Sequence, residues 1–152
     1  MSRPRRIVSG CQTGADRGAL DAALEAGIPI GGWCPKGRRA EDGPIDARYP
    51  VEETPSDDYL QRTEWNVRDS DGTLIVARRP LSGGTAATER FAERHGKPCL
   101  VVHPDEPDAV RRLRAWLVRN GIEVMNVAGP RESSGTASYA ATRRLLHALL
   151  RG

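Results

Sequence analysis

Glycines, hydroxyls and a carboxylate crowd the segment Ile7-Val-Ser-Gly-Cys-Gln-Thr-Gly-Ala-Asp-Arg-Gly-Ala-Leu-Asp-Ala-Ala-Leu24, where a short apolar run stops at Gly10 and an amphipathic pattern follows. This reads as a strand, a glycine turn and a helix N-terminus. Such a turn aims unpaired backbone N–H groups and the positive end of a helix dipole at the space above the strand, which attracts phosphate or carboxylate. The spacing Gly10, Gly14, Gly18 is neither the dinucleotide G-x-G-x-x-G nor a P-loop, because no Gly-Lys-Ser/Thr follows. The turn therefore specifies an anion above a strand, or only a tight connection, and names no nucleotide. Its candidates are Gly10, Cys11, Gln12, Thr13, Gly14 and Asp16. A thiol at a helix N-terminus has a lowered pKa; with no His or Asp locally paired to it, Cys11 is a turn filler or a nucleophile.

Three more polar turns follow apolar runs. Arg78-Arg-Pro-Leu-Ser-Gly-Gly-Thr85 leads into a helical stretch through Glu89, placing Ser82, Gly83, Gly84 and Thr85 at a second helix start. Gly129-Pro-Arg-Glu-Ser-Ser134 offers Arg131, Glu132 and Ser133, and Trp33-Cys-Pro-Lys-Gly37 offers Lys36. In an open parallel sheet all such turns lie at the carboxyl edge, where ligands bind near the topological switch point. Arg17, Lys36 or Arg131 could give charge-assisted bonds to a phosphate there. Tyr59–Asp69 reads as a short helix ahead of the third strand, with Arg62 and Asn66 at i and i+4 on one face. On this reading Arg62 reaches a phosphate held by the Ser82–Thr85 turn and Asn66 orients it; the plainer alternative is an exposed helix surface.

The elements that must position these groups alternate. Ile7-Val8, Ile28–Trp33, Thr73–Ala77, Cys99–Val102 and Val124–Val127 are apolar and β-rich, and most precede helical patterning. The alternation predicts a mostly parallel sheet covered by helices on both faces. The first helix sets Leu20, Ala23 and Leu24 on one face and ends at Gly27; a later one opens at Asp105 and stops at Asn120-Gly121; the last spaces Thr142, Leu145, Leu146, Leu149 and Leu150 for a core. Pro35–Asp58 lacks any period and reads as a long loop. Its Lys36-Gly-Arg-Arg39 and Glu41-Asp42 could clamp a charged ligand or stay solvated.

The chain has 152 residues, enough for one domain over its whole length, residues 1–152. Its formal charge of +3 and well-separated aromatics imply no nucleic-acid partner; a nucleic-acid module would rest on surface Arg such as Arg111, Arg112, Arg114 and Arg119 alone. The three cysteines lack C-x-x-C spacing and the three histidines lack metal-like neighbours, so no metal site, no disulfide framework and a reducing cytoplasm are expected. No signal peptide or membrane span is expected, since only Ile7-Val8 follow the basic start.

Ser9–Asp21, Gly31–Gly43, Arg62-Thr-Glu-Trp-Asn66, Asp69-Ser-Asp-Gly-Thr73, Ser82-Gly-Gly-Thr85 and Asn126–Ser133, in that order, resemble the family provisionally named molybdenum carrier proteins, grouped with the circularly permuted YpsA-related branch of the SLOG superfamily. The resemblance covers nearly the whole chain. It implies a Rossmann-like three-layer α/β/α sandwich and a site for a nucleotide-like or other phosphorylated ligand. The molybdenum label implies the metal's cofactor, a phosphorylated pterin, carried as cargo. Gly10, Gly14, Gly83 and Gly84 would admit the ligand to the backbone, Thr13 and Thr85 would donate hydroxyl bonds, and Arg62 and Arg131 would neutralise charge. SLOG relatives that cleave nucleoside monophosphates to free base use an Arg ahead of the glycine turn and the Glu of P-G-G-x-G-T-x-x-E. Arg62 and Ser82-Gly-Gly-Thr-Ala-Ala-Thr-Glu89 are similar in order but differ in the proline, one glycine and the Thr-to-Glu spacing. The enzymatic alternative is thus an N-glycosidic hydrolase with Arg62 and Glu89 as catalytic residues. Expected partners are an anionic small molecule and, as an open option, a second copy of the chain, with no membrane.

Overall fold

The structure, a computed structural model, describes residues 3–151. Its central sheet contains β1 (Arg6–Val8), β2 (Ile30–Gly31), β7 (Gly72–Val76), β8 (Cys99–Val102) and β9 (Val124–Ala128), ordered β2-β1-β9-β7-β8. Every pairing is parallel: Ile7 is in register with Ile30 on one side and Met125 on the other, and Thr73 with Asn126 and Cys99. Helices α1 (Ala15–Glu25), α4 (Ala109–Asn120) and α5 (Ser138–Arg151) pack together, and α2 (Tyr59–Arg68) packs on α3 (Gly83–Arg94). The fold is Rossmann-like. A doubly wound sheet runs 3-2-1-4-5, and this sheet takes that order once β9 and α5 are counted ahead of β1. The strand that begins the topology therefore comes last in the chain.

The core follows the periods of its elements. All five residues of β7 are buried, as expected of a central strand covered on both faces. In α5 the buried positions Thr142, Leu145, Leu146, Leu149 and Leu150 form one stripe against α1 and α4. Leu20 and Ala23 are buried in α1, but Leu24, expected beside them, is 44% exposed. The fourth helix begins at Ala109 rather than Asp105, because residues 104–108 form turns first.

The largest departure from expectation lies after β2. Gly32, at φ 127°, breaks the apolar run, so Trp33–Cys34 leaves the main sheet as β3 and pairs in parallel with β6 (Glu52–Glu53). The expected long loop contains that pairing and a tight antiparallel hairpin of β4 (Arg39–Ala40) and β5 (Gly43–Pro44). Among the described residues no helix is long and apolar enough to cross a membrane.

Candidate functional site

The switch point lies between β9 and β7, whose following helices, α5 and α3, take opposite faces of the sheet. The carboxyl ends of these two strands and of β1 open into a cleft of about 270 Å³. Its wall carries Gln12 and Asp16 from the first turn, Arg62 and Thr63 from α2, Ser82–Thr85 and Thr88 from α3, and Gly129–Arg131 from the β9 turn.

The N-terminus of α3 faces this space unguarded. Ser82 occupies the N-cap position but its side chain caps nothing, and among the described residues the N–H groups of Gly83, Gly84 and Thr85 have no hydrogen-bond partner. A Cβ on Gly83 or Gly84 would meet no atom within 4 Å. Thr88, one turn on, spends its hydroxyl on the Gly84 carbonyl at 2.8 Å. A second donor waits nearby: Gln12 is 5% exposed, and its Nε2 is buried without a partner while Oε1 accepts from the N–H groups of Thr13 and Glu41. An unpaired buried amide costs about 1–3 kcal/mol, a cost that a bound acceptor would remove.

Arg62 supplies the charge. Its Nη1 is 3.3 Å from Asp16 Oδ2, its Nε is buried without a partner, and its guanidinium lies 5.4 Å from the Tyr59 ring centroid. Arg131 approaches the same ring, at 5.8 Å, from the opposite turn. Asp16 is the cleft's carboxylate, 4% exposed, and its Oδ2 also accepts from the Gln12 N–H at 3.2 Å. Burial pushes the Asp16 carboxyl above its ordinary pKa, opposed chiefly by the Arg62 guanidinium.

The expected site residues thus divide. Gln12, Asp16, Arg62, Ser82, Gly83, Gly84, Thr85 and Arg131 share the cleft. Gly10 does not line it, but it sits directly beneath Arg62, whose Nη1 would be 2.0 Å from a Cβ there. Thr13, Gly14, Glu132 and Ser133 line a neighbouring groove instead, and the protein itself supplies the anion that this turn was expected to hold. The carboxylate of Glu41, carried on the β4–β5 hairpin, accepts from the Thr13 hydroxyl, from Ser133 N at 3.1 Å and from Ser133 Oγ at 2.6 Å. Those bonds hold the Glu41 carboxyl below its ordinary pKa. Beside it Asp42 makes a two-pronged bond to Arg17, at 2.5 and 2.9 Å. Glu41 and Asp42 therefore latch the hairpin onto the turns.

Four expectations are corrected. Cys11 is fully buried and, instead of a lowered pKa, desolvation pushes its thiol up to about 12; the helix starts four residues later, too far to stabilise a thiolate. Lys36 leaves with β3 and lines none of this cleft. Asn66 orients the backbone rather than Arg62, with Oδ1 accepting from Trp33 N and Nδ2 donating to Trp33 O, both at 2.9 Å. Glu89 lies outside the cleft, paired with Arg79 at 2.6 Å. The residue at the T-x-x-E position is Thr88, and that spacing was the signal for its place in the wall. Among the described residues no group of three or more His, Cys, Asp or Glu could hold a metal ion.

Residues 7–150 match the sequence model of the circularly permutated YpsA SLOG family. A crystal structure from Syntrophus aciditrophicus SB, provisionally named a molybdenum carrier protein, is 49% identical in sequence. The match covers 97% of this chain and 95% of that one, with a TM-score of 0.94. No curated protein matches the chain.

Proposed function

We propose that this chain, which belongs to the circularly permutated YpsA SLOG family, is a binding protein for a small phosphorylated ligand, nucleotide-like or the pterin phosphate of the molybdenum cofactor. The anionic group sits at the N-terminus of α3. One observation carries the reading: the uncapped N–H groups of Gly83, Gly84 and Thr85 and the unpaired Nε2 of Gln12 border the same cleft. Anions are favoured at helix N-termini by the free N–H groups and by the dipole together. Arg62 and Arg131 add charge from the two flanking walls.

The carrier part of the reading leans on the provisional name of the 49%-identical structure, and molybdenum enters as cargo. Glu89, the carboxylate that a phosphoribohydrolase reading assigns to catalysis, is turned to Arg79 and lies outside the cleft.

Gly84→Val tests the proposal. The new side chain projects into open cleft, so the apo protein keeps its stability within about 0.5 kcal/mol. Thermal-shift screening with nucleoside monophosphates and pterin phosphates should find a stabilising ligand for wild type that the variant does not answer. Equal responses from the two proteins would place the site elsewhere.

A further inference from the structure

We propose that the flat, fused-ring heterocycle of the ligand, a nucleobase or a pterin, lies in a second lobe of the cleft, against the N-terminal turns of α5 on the far side of the switch point. The inference rests on the reading of the α3 N-terminus as the anion site, and it assigns the remainder of the molecule.

The lobe is a cavity of about 360 Å³ that shares Ala77, Pro80, Ser82 and Pro130 with the cleft already described. The two therefore form one groove along the carboxyl ends of β7 and β9, with α3 at one end and α5 at the other. Their walls differ in chemistry. Around the α3 end stand Gln12, Asp16, Arg62, Thr85 and Arg131, groups that suit a phosphate better than a ring. The lobe is walled by Pro80, Pro104 and Pro130 and by Ala137, Ala140 and Ala141, whose small apolar faces leave room for a flat ring and take it out of water. Arg144 completes this wall and brings guanidinium donors to the acceptors that such rings carry at their edges.

Two further observations place the ring there. Tyr59, the aromatic side chain beside the phosphate end, is already engaged: the guanidinium groups of Arg39, Arg62 and Arg131 lie over its ring, at 5.3, 5.4 and 5.8 Å from the centroid. Ala137, in the wall of the lobe, holds φ at 51°, a left-handed conformation that is costly to an L-residue. Such strain gathers at ligand sites.

Calorimetric titration of the full chain with ribose 5-phosphate, adenosine monophosphate and neopterin monophosphate tests this. All are phosphate monoesters, and only the last two carry a fused ring. At least one of those two should bind wild type about tenfold or more tightly than ribose 5-phosphate, and the tighter one names the ring. Ala140→Phe, which fills the lobe from an exposed helix position, should remove that advantage and leave ribose 5-phosphate binding unchanged. A fused ring that adds no affinity, or an advantage that survives Ala140→Phe, would overturn the inference while leaving the anion site standing. Absence of binding by all three, or binding that Gly84→Val leaves intact, would remove the site and the inference together. Should Ala140→Phe fail to fold, Thr136→Phe, in the exposed turn ahead of α5, fills the same lobe and is read in the same way.

Discussion

The guanidinium of Arg62 lies on the backbone of Gly10, so close that a Cβ at Gly10 would stand 2.0 Å from Nη1. A guanidinium is the far end of a flexible chain, so Gly10→Ala displaces it without breaking the fold. Because Arg62 and Asp16 form a largely buried ion pair, apo stability should fall, by up to about 3–5 kcal/mol if the displacement breaks the pair. Affinity for a phosphorylated ligand should fall as far as in Arg62→Ala, about ten- to a hundredfold, because a charge-assisted bond is lost in both. The double variant should bind no more weakly than either single one. Additive losses in a double-mutant cycle would mean that the two residues act independently.

Asp16 should make stability depend on pH in a defined direction. Burial raises its pKa in the folded state, so the folded protein holds the proton where the unfolded chain has released it. Asp16 therefore subtracts nothing in acid, and its cost grows as pH climbs from the ordinary carboxylate pKa through the folded value. In melts from about pH 4 to 7, Asp16→Asn should start near wild type and become progressively the more stable protein. A gap that closes with rising pH would show that Arg62 outweighs burial.

Glu41 titrates with the opposite sign. The Ser133 and Thr13 bonds depress its pKa, so the hairpin latch is intact above the unfolded carboxylate pKa and is lost as pH falls through the lower folded value. Glu41→Gln should speed amide exchange at Ser133 and across β4–β5, with little change in global stability because the contact is solvent-exposed. Unaltered exchange at Ser133 would show that the latch does not hold the turn.

Much of this fold is written locally. The leucine spacing of α5 and the unbroken apolar run of β7 encode burial directly, and Ser82-Gly-Gly-Thr85 marks a helix start by composition. The parts that escaped reading are non-local or turn on one residue. Nothing in Val124–Ala128 announces that the last strand inserts between β1 and β7, although that insertion creates the switch point. Gly32 alone diverts Trp33 and Lys36 from the main sheet. Successive helix residues differ by about 100° in direction, so Thr88 faces the cleft while Glu89, next in sequence, faces Arg79. The first glycines were legible as a tight turn but not for their reasons: Gly10 makes room for Arg62, and Gly14, at φ 82°, lies against the Pro130 carbonyl.

The central claim, that the N-terminus of α3 receives the anion, is tested most directly by mapping backbone amide shifts during titration with adenosine monophosphate. Saturable shifts should be largest at Gly83, Gly84 and Thr85, accompanied by the Gln12 side-chain amide. Saturable shifts centred instead on the groove of Thr13, Glu132 and Ser133, with the α3 amides still, would contradict it.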